Sequence, residues 1–273
     1  MPFSVVAVRH VEEIAIRRVS GEACVLAAAA RAILLQVAHP MVGRGVAEHS
    51  RFTEDPLKRL RGTLDYVYGT SFGSPGESAW IAETVNRIHK HVVGPGYSAD
   101  DPDLQLWVAA TLYDSAVRIY ELTLGPMSPA MQEEFCQESA RYATQLGCPE
   151  GLWPSSVAEF DEYWRCQVDA LEVSSDAKRI YHELMYSRAI PWYLRVLLPL
   201  NRLITAGLLP ERVREQYELA WNPRRERLFR AAMQVTRLTY PWVPRRIRQL
   251  PMTFYLRDFR KRYRSYTLSS SAA

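Results

Sequence analysis

Five times in this chain a side chain able to cap a helix stands directly before a proline: Asp55-Pro56, Ser74-Pro75, Asp101-Pro102, Ser128-Pro129 and Asn222-Pro223. Proline suits the first helical position, where the N–H it lacks has no partner to lose. Ser, Asp or Asn just before it accepts a hydrogen bond from the exposed amides of the first turn. Ser74 with Glu77, and Ser156 with Glu159, add the spacing of a capping box. Between these starts the apolar pattern is helical. In LQLWVAATLYDSAVRIYELTL, Leu104, Trp107, Val108, Thr111, Leu112 and Ser115 recur at steps of three and four. Alternation sustained over six residues is hard to find. The chain therefore reads as all-α, a single globular multi-helix domain of about ten or more helices. Gly94 and Gly96 punctuate the pattern after His89, and Gly207 after Trp192. No repeat interrupts it, so residues 1–250 read as one helical domain. Residues 251–273 read as a basic, aromatic helix with a short disordered end.

With 48 % hydrophobic residues over 273 positions the chain can bury a sizeable core. The net charge of +4 is mild but unevenly spread. From Arg245 to Arg264 eight Arg or Lys stand against Asp258 alone, interleaved with Phe254, Tyr255, Phe259 and Tyr263. This suits a solvated helix with its aromatics packed inward, or a weak contact with an anionic membrane surface. No nucleic-acid reading motif accompanies it, so nucleic acid is not expected as a partner. The most apolar stretch, ACVLAAAARAILLQVAHP, is broken by Arg31 and Gln36 and falls short of a spanning helix. Residues 1–20 carry Arg9, Glu12, Glu13, Arg17 and Arg18 and show no secretory pattern. Cys24, Cys136, Cys148 and Cys166 have no metal-binding spacing. The expectation is a cytoplasmic protein whose thiols lie in the core.

Familiar catalytic motifs are missing: no Gly-x-Gly-x-x-Gly, P-loop, Gly-x-Ser-x-Gly or Glu-x-x-His. His182-Glu183 opens a zincin-like pattern, but Tyr186 stands where the second histidine is needed. What remains is a clustering, for five of the six histidines fall within the first 91 residues. Arg59 and Thr63 lie one turn apart in DPLKRLRGTLDYVYG, so they share a helix face. His89 follows in SAWIAETVNRIHKHV, with Ile81, Val85, Ile88 and Val92 as apolar companions. A non-covalent haem asks for one imidazole on the iron, apolar helices around the plane, and polar groups on its open face. His89 suits the first role, and Arg59 with Thr63 the third, since a cation and a hydroxyl stabilise charge on reduced oxygen. An ordinary hydrogen-bonded histidine fits the same pattern. His39 and His49 flank Gly43 and Gly45, where a flexible turn brings both rings toward a pocket, or each ring simply braces the turn. Trp107 and Thr111, one turn apart, line a cavity or belong to plain core.

The order LLQVAHPMVGRGVAEHSRF, DPLKRLRGTLDYVYGTSFG, RIHKHVVG, YSADDPDLQLWVAATLYDS and LITAGLLPERVREQYELAW resembles the MpaB-type oxygenase family, over roughly residues 10–250. This is the group related to the catalytic domain of bacterial rubber oxygenase, or latex clearing protein. The resemblance implies a globin-like helical fold holding b-type haem, with His89 as the iron ligand and Arg59 and Thr63 as catalytic residues. Arg31, Arg44, Arg87, Trp107 and Thr111 join the expected cofactor surroundings, with His39 and His49 supporting the ligand from behind. Two positions depart from the pattern: Gly62, where rubber oxygenases carry lysine, and Ala109, where many relatives carry histidine. The implied activity is a haem-dependent oxidoreductase, an oxygenase using dioxygen on an apolar or mid-sized organic molecule. Peroxidase-like or biosynthetic tailoring chemistry on haem, or a non-catalytic helical binder of an apolar ligand, are the alternatives.

Overall fold

The computed structural model describes residues 14–49, 56–187 and 191–270. Helix α1 (Ala15–Ser20) buries Ile16 and Val19 and leads through a 3-10 segment, Ala23–Ala28, into α2 (Ala29–Ala38). His39 ends α2 and Pro40 opens α3 (Pro40–His49), because proline breaks the preceding hydrogen-bond ladder. The apolar run Ala23–Ala38 and α3 meet at 104°. Next come α4 (Pro56–Phe72) and α5 (Pro75–His89), an adjacent pair joined by Gly73 and Ser74. Ser74 Oγ accepts the Glu77 amide while the Glu77 carboxylate accepts the Ser74 N–H, a complete capping box. One small departure from helix follows. Strands β1 (Val93–Gly94) and β2 (Tyr97–Ser98) pair antiparallel around Pro95-Gly96, with Gly96 at φ +82°, the left-handed position a tight turn requires.

The chain continues through α6 (Pro102–Leu124), α7 (Pro129–Ser139), α8 (Arg141–Thr144), α9 (Val157–Ala170) and α10 (Ser175–Tyr186). It ends with α11 (Trp192–Arg195), α12 (Leu198–Leu208), α13 (Glu211–Gln216), α14 (Pro223–Thr239), α15 (Arg245–Arg248) and α16 (Leu250–Ser270). Asp101, Ser128 and Asn222 cap as their spacing predicts, while Asp55 lies outside the described residues. At α9 the box is incomplete. Ser156 caps the Glu159 amide, but the Glu159 carboxylate turns to Ser155. Gly207 marks the end of its segment to within one residue, since α12 stops at Leu208. It lies inside α12, where a Cβ would come 2.4 Å from Phe229, so its role is close helix packing.

Helix α6 is the axle. Thirteen of its 23 residues are buried, on more than one face, which marks a core helix. Helix α2 lies along it, and the polar residues that interrupt α2 meet polar partners there. Arg31, 2 % exposed, donates from Nε to the Leu208 carbonyl at 2.8 Å and from one terminal nitrogen to Ser115 Oγ at 2.6 Å. Its other terminal nitrogen pairs with Asp114 at 2.5 Å. One and a half turns on, Gln36 Nε2 donates to Thr111 Oγ1 at 3.0 Å, and Thr111 in turn donates to the Val108 carbonyl. The apolar core around α6 is rich in rings. Tyr113 meets Phe160 at 4.5 Å and Phe135 at 5.1 Å, while Trp107 stacks on Trp164 at 5.4 Å.

Helix α16 closes the outer side of α4. Phe259 is fully buried against Trp80, and a Cβ on Gly69 would come 3.0 Å from its ring, so that glycine admits it. Arg262 pairs with Asp65 at 2.7 Å, and Arg61 pairs with Asp258. Tyr255 and Tyr263 are half-buried, so three of the four interleaved aromatics turn inward, and Phe254 does not. The thiols divide likewise. Cys24, Cys136 and Cys148 are buried, and burial pushes Cys24 and Cys136 up to about 11. Cys166 is exposed on α9, contrary to the expectation of a core thiol.

Removing Arg31, itself buried, leaves Ser115, the Leu208 carbonyl and the partly exposed Asp114 without their donor. Arg31→Ala is expected to cost about 3–5 kcal/mol in urea denaturation. Arg31→Met with Asp114→Leu should recover most of that loss, because no charge is then stranded.

Candidate functional site

The run Ala27–Ala30, with Ala32, places small side chains where the wall of a helix bundle usually carries leucine. Between this wall, α4 and α6 lies a small, mostly apolar hollow. Ala28, Ala29 and Ala32 face Leu60, Leu64 and Val67 across it, with Leu112 and Ala116 from α6. The polar atoms of the wall are few. Ser20 and Ser71 both bond the Tyr142 hydroxyl, at 2.9 and 2.8 Å, and of these three Ser20 and Tyr142 face the hollow. Gln36 and Ser115, held by the α2–α6 seam, also face it, as does Thr63. Burial pushes the phenols of Tyr68 and Tyr142 well above the usual tyrosine range, so both stay neutral.

Thr63, expected to face a pocket, lines this hollow. Arg59 lies one turn earlier on α4, and its side chain is outside the described residues. His89 is the last residue of α5, half-buried, and is not in the wall of the hollow. With α4 and α5 turning back on each other at Gly73-Ser74, His89 stands about 7 Å farther from the bend than Thr63 at 1.5 Å per residue. His39 is half-buried, and its Nδ1 is buried with no hydrogen-bond partner. Burial lowers its pKa below the ordinary histidine value, against the opposing charge of Asp101.

The region around His49 differs from a flexible turn. Gly43 and Gly45 lie inside α3 because they let it approach its neighbours closely. A Cβ would come 2.4 Å from the Val37 carbonyl at Gly43 and 3.2 Å from the Tyr97 ring at Gly45. His49 is exposed, with Nε2 3.1 Å from the Tyr97 hydroxyl and 3.2 Å from the Val93 carbonyl, and so braces α3 against the β1–β2 turn. Arg44 is exposed and paired with Glu48 at 2.9 Å, and Arg87 is exposed on α5. Arg31 is sealed in the seam, so the three arginines do not converge. Trp107 is fully buried in its stack, and Thr111 stands behind Gln36, one hydrogen bond from the hollow. Gly62 is exposed, with no atom within 4 Å of where its Cβ would be. Ala109 is packed in the main core.

Gln36, Ser115 and the Ser20–Tyr142 pair are the wall residues that sequence reasoning missed. A signal for one was present: Gln36 interrupts an apolar run, and a buried amide needs a partner.

Residues 17–238 match the family described as ER-bound oxygenase mpaB/B'/Rubber oxygenase, catalytic domain. The chain belongs to this family. It is therefore a member of an oxygenase group, as the resemblance implied. The mpaB/rubber oxygenase span begins in α1 and stops within α14, so α15 and α16 lie outside it. Two curated relatives, each described as an uncharacterized protein, come from Mycobacterium bovis and Mycobacterium tuberculosis. Each is 33 % identical over 242 residues, covering 85 % of this chain and 95 % of the relative. No solved structure matches the chain significantly. Among the described residues no three His, Cys, Asp or Glu side chains converge as metal ligands, and no single helix is long and apolar enough to cross a membrane.

Two outcomes are expected. Gly62→Ala should raise stability by about 0.5–1 kcal/mol in thermal denaturation, since the site is helical and open. His39 resists protonation when folded, so the unfolded chain binds more protons as pH falls through the ordinary histidine pKa of 6.5. Stability should then decline on acidification below that value, and His39→Gln should flatten this part of the profile of melting temperature against pH.

Proposed function

We propose that the protein holds a b-type haem at the hollow beside Thr63, that His89 would bind its iron, and that Arg59 and Thr63 would assist the chemistry it supplies. In this reading the protein oxidises an apolar or mid-sized organic molecule with dioxygen. The observation that carries it is an apolar hollow with Thr63 in its wall, in a chain of an oxygenase family. The wall itself holds no imidazole, so the reading requires His89, at the end of α5 and outside the wall, to reach the group. A porphyrin brings its own four nitrogens and asks the protein for as little as one imidazole, which the lack of a three-ligand cluster among the described residues accommodates. Two half-buried imidazoles, His39 and His89, lie near the ends of α2 and α5, and His39 Nδ1 is buried without a partner.

Bound haem supplies the electron transfer and dioxygen chemistry that side chains lack. The chain's own groups do the positioning. A ligating His89 needs its second ring nitrogen held by an acceptor to fix the tautomer. The Thr63 hydroxyl would donate a hydrogen bond toward developing negative charge, and in this reading Arg59 would add positive charge to the same effect. The alanine and leucine walls orient an apolar substrate and exclude water, which strengthens both effects. Tyr142, neutral and bonded to Ser20 and Ser71, can donate a hydrogen bond but is no base at neutral pH. Arg31 is not carried forward as a propionate partner, because its nitrogens are committed to Asp114, Ser115 and Leu208. Arg44, paired with Glu48, and Arg87 do not line the hollow and are not carried forward either.

Titration of the purified protein with haemin, followed in the Soret region, should saturate at one equivalent. His89→Ala should abolish the ligated spectrum, and Ala32→Leu should weaken uptake by about ten-fold by filling the hollow. A wild type with no Soret shift, or a His89→Ala protein with an unchanged spectrum, overturns the haem reading. Thr63→Val should slow substrate-dependent oxygen uptake roughly a hundred-fold, and haem binding with no oxygen uptake overturns the oxygenase part.

A further inference from the structure

Residues 227–257 contain seven arginines and no aspartate or glutamate, in a chain that elsewhere nearly balances its charges. The same stretch displays apolar side chains outward. Val235, Leu238 and Trp242 follow one another at steps of three and four, and so do Ile247, Leu250 and Phe254. All six are exposed: Trp242 by 86 %, Leu238 by 71 % and Phe254 by 70 %. These are two successive apolar stripes, one running off the end of α14 and one from α15 into α16.

The inner edge of this region is fastened to the body. The Tyr240 hydroxyl donates to Glu22 at 3.0 Å, and Arg248 pairs with the same carboxylate at 3.2 Å. Met233, Leu256 and Phe259 are buried on the opposite sides of α14 and α16. The turn between the two helices is thus clasped from within by one buried glutamate, and its outward side chains do not fold back.

We propose that this face docks peripherally on an anionic lipid surface. Tryptophan, phenylalanine and leucine set among arginines are the composition of an interfacial contact, in which rings and aliphatic groups enter the headgroup boundary. Cations beside them meet the negative surface potential of the leaflet. The charge distribution argues against a second copy of the chain on this face, because a two-fold contact would bring two arginine-rich surfaces together with acids only at their edges, Glu226 and Asp258. A nucleic acid would use the arginines but leave Val235, Leu238, Ile247 and Leu250 in water. The inference stands whatever the hollow binds.

Flotation of the full-length protein with vesicles tests it, comparing phosphatidylcholine alone with phosphatidylcholine and phosphatidylglycerol in two-to-one proportion. The wild type should float with the anionic vesicles, stay behind with the neutral ones, and be released by high salt. Trp242→Ser with Phe254→Ser should reduce partition by about ten-fold or more, with circular dichroism and melting temperature unchanged. Arg245→Glu with Arg246→Glu should do the same by reversing charge. Equal flotation of the aromatic variant and the wild type overturns the proposal, as does equal flotation with neutral vesicles. So does sedimentation showing a wild-type dimer that the aromatic variant breaks, since the face would then be a contact between copies.

Discussion

A guanidinium inside a protein is tolerable only when every nitrogen has somewhere to go, and Arg31 sets that condition for the whole bundle. Its three partners come from α6 and the end of α12. Each must arrive at its distance for the charge to be held, so the register of α2 on α6 is fixed by electrostatics as much as by apolar packing. Sliding either helix by one residue would strand the buried Arg31 charge, at a cost of several kcal/mol. The Gln36–Thr111 bond repeats the constraint farther along the same interface. Buried polar pairs of this kind favour one arrangement over others of similar apolar content.

The hollow inherits this precision. Ser115 and Gln36 each show one side to the seam and the other to the empty space. The alanines between them provide the room, while the polar residues on either side keep the two helices from collapsing into it. An all-leucine α2 would pack more area and leave no hollow. The site is thus a region of deliberately low side-chain volume held open by directional bonds.

Much of this was legible in the chain. The proline-linked caps at Ser74, Asp101, Ser128 and Asn222 predicted helix starts because capping is local chemistry. The helical phase of Thr63 gave only the face it shares with Arg59; that this residue lines the hollow comes from how α4 packs. The less legible features were those depending on what the chain packs against. Gly43 and Gly45 suggest flexibility in isolation, yet each admits a neighbour in a helix. Arg31 suggested a cofactor contact because a cation in an apolar run is conspicuous, while its true partner lies 83 positions away. His89 has the right helix and burial, but its offset from the hollow is a tertiary matter that spacing cannot fix.

Helix α16 lies beyond the family span yet fills the gap over Gly69 with the ring of Phe259. During synthesis α4 and α5 emerge long before the helix that covers them. Until it arrives, Trp80 and the Gly69 notch present an uncovered apolar strip to water, the kind of surface that invites premature association. This side of the molecule is therefore sealed only once α16 has emerged and packed over Gly69 and Trp80.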